Sequence, residues 1–118
     1  MFINFSNHPS CFWSERQKEA ARAYGDIVDV PFPPVSPMAS HEKLYLLASK
    51  YVAKIRQMGD AHTMTVHVMG EMTFVFLVVT QLKELGIKCI ASTTERNATE
   101  YTDGVKLSEF SFVKFREY

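Results

Sequence analysis

Cysteine is scarce in this chain: Cys11 and Cys89 are the only two in 118 residues. Two thiols do not make the disulfide framework of a small secreted domain. No charged-then-apolar leader precedes Phe2, so the expected compartment is the cytoplasm. An excess of either charge is also missing, since 13 Lys+Arg balance 13 Asp+Glu. Long DNA or RNA normally requires a basic footprint and is not an expected partner, whereas a small anionic ligand needs only a local nest of donors. Every apolar run stops short of the roughly 18 residues of a membrane span, so no membrane association is expected. There is no glycine-rich phosphate loop, no zinc-ligand spacing, no nucleophile elbow, no internal repeat and no low-complexity tract. Neither a metal nor a cofactor is therefore expected. What remains is an ordinary globular composition, 47% hydrophobic and 22% charged, sized for one domain spanning residues 1–118.

Along the chain, strand and helix signals alternate. FINF (2–5) reads as a buried strand. Ser14 and Gln17 have capping-box spacing, so a helix starts at Ser14 and stops at Gly25. DIVDV (26–30) is a second strand. PFPPVSP (31–37), with four prolines, is a stiff surface loop. Ser40 caps a second helix, whose apolar positions from Leu44 to Met58 recur at a spacing of three or four until Gly59. TMTVHVM (63–69) is a third strand. GEMTFVFLVVTQLKELG (70–86) is a helix apolar nearly all round, which predicts burial on more than one side. IKCIAST (87–93) is a fourth strand, Asp103-Gly104 a turn, and FSFVKF (110–115) a last strand. The order β-α-β-α-β-α-β predicts an α/β fold with a mainly parallel sheet, strand order 2-1-3-4, and a C-terminal hairpin or edge strand.

In such sheets ligands sit beyond the carboxyl ends of the strands. Three polar loops follow strands one, three and four: Ser6-Asn7-His8-Pro9-Ser10, Gly70-Glu71-Met72-Thr73, and Ser92-Thr93-Thr94-Glu95-Arg96. Together they suit a phosphodiester or nucleotide. Ser6, Ser10, Thr73, Thr93 and Thr94 offer donors to phosphate oxygens. Gly70 admits close backbone approach, and the helix after it presents N–H groups and a positive dipole end. Arg96 has the planar fork for a phosphate, and His8 titrates near neutral pH. Glu71 would repel phosphate but accept from a ribose hydroxyl. Each feature also has a plain structural reading. Glu71 suits a first helical turn without any ligand, and Arg96 suits a surface ion pair. His67 reads as core or sheet surface, Trp13 as a core anchor, and His41 and His62 as cap and turn residues.

The run GEMTFVFLVVTQLKELGIKCIASTTER, the DG turn and the terminal FSFVKFREY resemble a family of small CRISPR-associated proteins of type III systems. The likeness covers about the last fifty residues. The opening NFSNHPS is similar to the start of these proteins, whereas the proline-rich middle carries little. The resemblance implies a single Rossmann-like, three-layer domain related to the CARF sensors, acting as a homodimer. It implies a cyclic oligoadenylate ligand, most often the four-membered ring, that is cleaved or sequestered to switch off CRISPR signalling. Matching positions are Gly70, Glu71, the Ala91–Arg96 run and Phe115-Arg116-Glu117-Tyr118, with Ser6, Asn7 and His8 matching less closely.

Cleavage in ring nucleases of this kind typically needs no metal, because the ligand's own 2′-hydroxyl attacks the neighbouring phosphate. The protein must then align the attack and stabilise charge. Arg96, Thr93 and Thr94 are the expected charge stabilisers, with Ser92 and Arg116 as further contacts; the base is His8 or Glu71. Two alternatives stand beside this: a module that holds the cyclic nucleotide without cutting it, and a structural or regulatory homodimer with no nucleotide.

Overall fold

A computed structural model describes residues 1–100, Gly104 and 106–118. Among the described residues, five strands and three α-helices follow one another as β1 (Phe2–Ser6), α1 (Glu15–Arg22), β2 (Ile27–Asp29), α2 (His41–Arg56), β3 (Thr65–Met69), α3 (Met72–Glu84), β4 (Lys88–Glu100) and β5 (Lys106–Glu117). Two single-turn 3-10 helices, Ser10–Phe12 and Ala61–Thr63, sit in the connections. The sheet order is β2-β1-β3-β4-β5. The first four strands are parallel and β5 is antiparallel to β4. The architecture is thus α/β with a mostly parallel sheet, as the alternating pattern predicts.

The helix starts follow local chemistry. The Ser14 side chain accepts from the Gln17 N–H, and that of Ser40 accepts from the Lys43 N–H, satisfying donors a helix otherwise leaves open. Much of the apolar surface of α3 is covered within the chain. Phe74, Val75, Val78, Val79 and Leu82 are buried, and only Met72 and Phe76 remain widely exposed.

Strand alternation divides the core in two. Ile3, Phe5, Val66, Val68 and Cys89 point to the side covered by α2 and α3, where they pack with Ala48, Ile55, Phe74 and Val78. Phe2 and Ile90 point the other way, into a smaller cluster with Trp13 and Ala21 against which Phe115 packs. Trp13 is the core anchor its composition suggested. Its ring meets Phe2 edge-on at 6.0 Å, and its Nε1–H donates to the His8 carbonyl.

One boundary differs in a way that matters. Residues 92–96 are not a loop: β4 runs unbroken to Glu100, with Thr94, Glu95 and Arg96 paired to Phe112, Ser111 and Phe110 of β5. Pairing with a distant antiparallel partner satisfies the backbone there, so a polar stretch holds extended form without an apolar face. The register shifts between Thr93 and Thr94, the signature of a β-bulge. Of the expected turn, Gly104 takes φ of +84°, open to glycine at little cost; Asp103 lies outside the described residues.

Candidate polar site at the strand ends

The sheet changes direction at β1, which has β2 on one side and β3 on the other. The crevice of a switch point therefore falls at the carboxyl ends of β1 and β3. Register places Ser6 opposite Met69, and Asn4 opposite His67, which is itself opposite Ile90. Two residues beyond Ile90, Ser92 reaches the level of Met69, whose sulfur accepts from the Ser92 N–H at 3.2 Å. Asn4, Ser6, His67 and Ser92 consequently share the α1 side of the sheet near its carboxyl edge.

These side chains form one hydrogen-bonded chain. The Asn4 amide nitrogen donates to Asp29 Oδ1 at 2.7 Å and to the His8 carbonyl at 2.9 Å. That fixes the amide orientation, because both partners are acceptors. Asn4 Oδ1 then accepts from Ser6 Oγ at 2.7 Å and faces His67 Nδ1 at 3.0 Å. An amide oxygen only accepts, so the proton of neutral His67 sits on Nδ1. Nε2 is left as the acceptor, and Ser92 Oγ lies 2.6 Å from it. Ser92 Oγ in turn accepts from Gln17 Nε2 at 3.3 Å. The run reads Ser92–His67–Asn4–Asp29, with each tautomer and flip dictated by its neighbour.

His67 is almost sealed. Its exposure is 2%, and its ring lies 5.2 Å from Trp13, 5.5 Å from Phe115 and 6.1 Å from Phe2, centroid to centroid. Burial pushes its pKa down from 6.5 to about 4, helped by the nearby His8 imidazole; removing a cation from water has that effect. Nε2 therefore meets the half-exposed edge of the protein through the Ser92 hydroxyl.

The sequence-predicted residues divide accordingly. Ser6, Ser92 and the His8 main chain belong to this network, while Asn7 and the His8 ring are exposed beside it. Ser10 is tied to Asp29 through both its N–H and its hydroxyl. Gly70 has a packing role: a Cβ there would stand 2.3 Å from the Phe32 ring, so the space left by the missing side chain is filled by the proline-rich segment rather than left for a ligand. Glu71 caps α3, its carboxylate accepting from the Thr73 and Phe74 N–H groups and from Thr73 Oγ1. Those bonds, the Thr73 hydroxyl first, lower its pKa. They also occupy two of the N-terminal donors of α3, the Thr73 and Phe74 N–H groups, that a phosphate would need. Thr93 Oγ1 is bonded to the backbone of Lys114 in the hairpin. Thr94 and Arg96 are exposed hairpin residues. Arg96 stands about 13 Å along β4 from Ser92, at ~3.3 Å per residue, so it does not join the Ser6–Ser92 cluster. Arg116, opposite Ala91 in β5, is exposed.

His67, Asn4, Asp29 and Gln17 did not stand out as site residues in the sequence. The available signal was a polar residue flanked by apolar ones at the centre of each of two strands, Asn4 in FINFS and His67 in TVHVM.

Fold and site together define a small α/β protein with a hydrogen-bonded polar network near the carboxyl edge of its sheet. The chain belongs to the uncharacterized protein MJ1673 family, whose family model matches residues 1–116. No curated protein and no solved structure matches it.

Proposed function

We propose that this protein binds a cyclic oligoadenylate, foremost cyclic tetra-adenylate, at the carboxyl edge of its sheet and opens the ring, switching off type III CRISPR signalling. The observation that carries this reading is the convergence of Ser6, His67 and Ser92 at the switch-point edge, where a parallel sheet receives nucleotide-like ligands. The likeness of the C-terminal segment to the CRISPR-associated family supplies the ligand class. In this reading the domain is Rossmann-like and CARF-related, with β5 and the extended part of β4 as an appended hairpin. The attacking nucleophile is the ligand's own 2′-hydroxyl, so the protein's task is alignment and proton handling.

The working unit is a homodimer. A groove of about 900 Å³ runs along α3, lined by Gly70, Met72, Phe76, Leu77, Thr80 and Tyr118 among others. Its exposed anchors are Met72 at 80% and Phe76 at 69%. The groove starts at the same strand edge as the polar site. A second copy seated on α3 about a two-fold axis would bring two edges together over a ring of matching symmetry.

The test is incubation of the purified protein with cyclic tri-, tetra- and hexa-adenylate in the presence of EDTA. Linear products ending in a 2′,3′-cyclic phosphate support the reading. A ring bound but recovered intact assigns a binding module instead, and the lack of any thermal shift with all three rings contradicts the ligand class.

A further inference from the structure

The relay behind Ser92 is more than a way to bury polar groups. His67 stacks on Phe2, meets Trp13 and Phe115 at steep angles, and is held on one nitrogen by Asn4. Its other nitrogen is left with a lone pair aimed at a hydroxyl that is half-exposed. Ser92 satisfies that acceptor, as a buried ring nitrogen requires, and it does so from the edge of the sheet rather than from the core. Here the tautomer is fixed so that Nε2 is the acceptor, and Ser92 stands between that acceptor and the edge where the ligand is placed.

We propose that Ser92, His67 and Asn4 form the proton relay of the ring-opening reaction, with Ser92 the catalytic residue that touches the ligand and Asn4 a positioning residue. This inference rests on the ligand reading above. As the 2′-oxygen bonds to phosphorus, its proton passes to Ser92 Oγ, and the proton Ser92 already held passes to His67 Nε2. The bond from phosphorus to the 5′-oxygen breaks, and that oxygen takes a proton from water. His67 then returns its proton to solvent through Ser92. No proton is gained or lost overall, and no further reactant is needed. Gln17 Nε2, 3.3 Å from Ser92 Oγ, is a donor on hand for the phosphate oxygens. A phosphodiester anion beside Ser92 favours the imidazolium form and so raises the basicity of His67 at the moment it is needed.

Ser92→Ala, His67→Gln and the wild type separate the possibilities. Positioned proton transfer contributes roughly 10²- to 10⁴-fold to rate. Ser92→Ala is expected to lose no more than the roughly tenfold in affinity of one neutral hydrogen bond and to cleave cyclic tetra-adenylate at least a hundredfold more slowly at saturation. Nitrogen-15 NMR of the ligand-free protein should find His67 neutral at pH 7 with its proton on Nδ1, a readout that does not depend on whether His67→Gln folds. Wild-type rates in Ser92→Ala, or a proton on Nε2, overturn the relay while leaving the ligand reading intact. A wild type that binds the ring and never cuts it also overturns the relay. A wild type that binds no ring overturns both.

Discussion

Acidification should weaken the fold through one buried side chain. His67 has a folded pKa of about 4 against 6.5 for an unperturbed imidazole. The unfolded chain therefore takes up a proton on this residue at higher pH than the folded one. Stability linked to His67 is complete above pH 6.5 and drains away as pH falls toward 4. Integrating proton uptake between the two states gives a loss of about 1 kcal/mol from pH 7 to pH 5.5, and about 2 kcal/mol by pH 4.5. The other three histidines, His8, His41 and His62, are exposed. Urea unfolding followed by circular dichroism at fixed pH values measures the slope. His67→Phe, which keeps an aromatic ring among Phe2, Trp13 and Phe115, should abolish most of the fall between pH 7 and 5.5. A wild-type stability that stays flat across that window, or a fall that persists unchanged in His67→Phe, would refute the assignment of His67 as a buried, neutral member of the network.

Gly70→Ala should cost about 1–3 kcal/mol by overpacking, because the new methyl would meet Phe32 ring atoms at 2.3 and 2.6 Å; thermal melts of Gly70→Ala with and without Phe32→Leu should find most of the loss relieved in the double variant. Cys11, which is exposed, should react promptly with a disulfide reagent, whereas Cys89, buried with its pKa pushed up to about 12, should react only as the protein unfolds; two thiols titrating at the same native rate would contradict the packing of β4. Arg96 lies in the hairpin beyond the Ser6–Ser92 cluster, so Arg96→Ala should bind cyclic tetra-adenylate like wild type. A roughly ten- to hundredfold loss, the size of a lost hydrogen bond to a charged group, would instead extend the ligand site along β4.

The elements legible in the sequence were those written in local chemistry. Ser14 and Ser40 cap where capping serines should, Gly86 closes α3 with a φ of +75°, and strict alternation of strand and helix leads to a parallel sheet. The outer half of β4 was not legible, because STTERNATE has no apolar face and its extended form depends on β5. The polar relay was hidden for a similar reason. Asn4 and His67 are 63 residues apart, and His67 and Ser92 are 25 apart, so nothing local marks them as partners. Glu71 and Gly70 illustrate the opposite case. Their positions at a strand end suited a ligand site, but the helix cap and the Phe32 ring account for both. The all-round apolar α3 predicted burial on more than one side, and five of its apolar residues are buried while Met72 and Phe76 stay exposed.

Isothermal titration of the wild-type protein with cyclic tetra-adenylate, in EDTA and with Ser92→Ala beside it to hold the ring uncut, tests the central claim most directly. Saturable binding with one ring per two chains is the predicted result, since a two-fold ring shared across a two-fold axis consumes both edges at once. No measurable binding at ring concentrations up to hundreds of micromolar would contradict the assignment of the strand-edge cluster to a cyclic nucleotide.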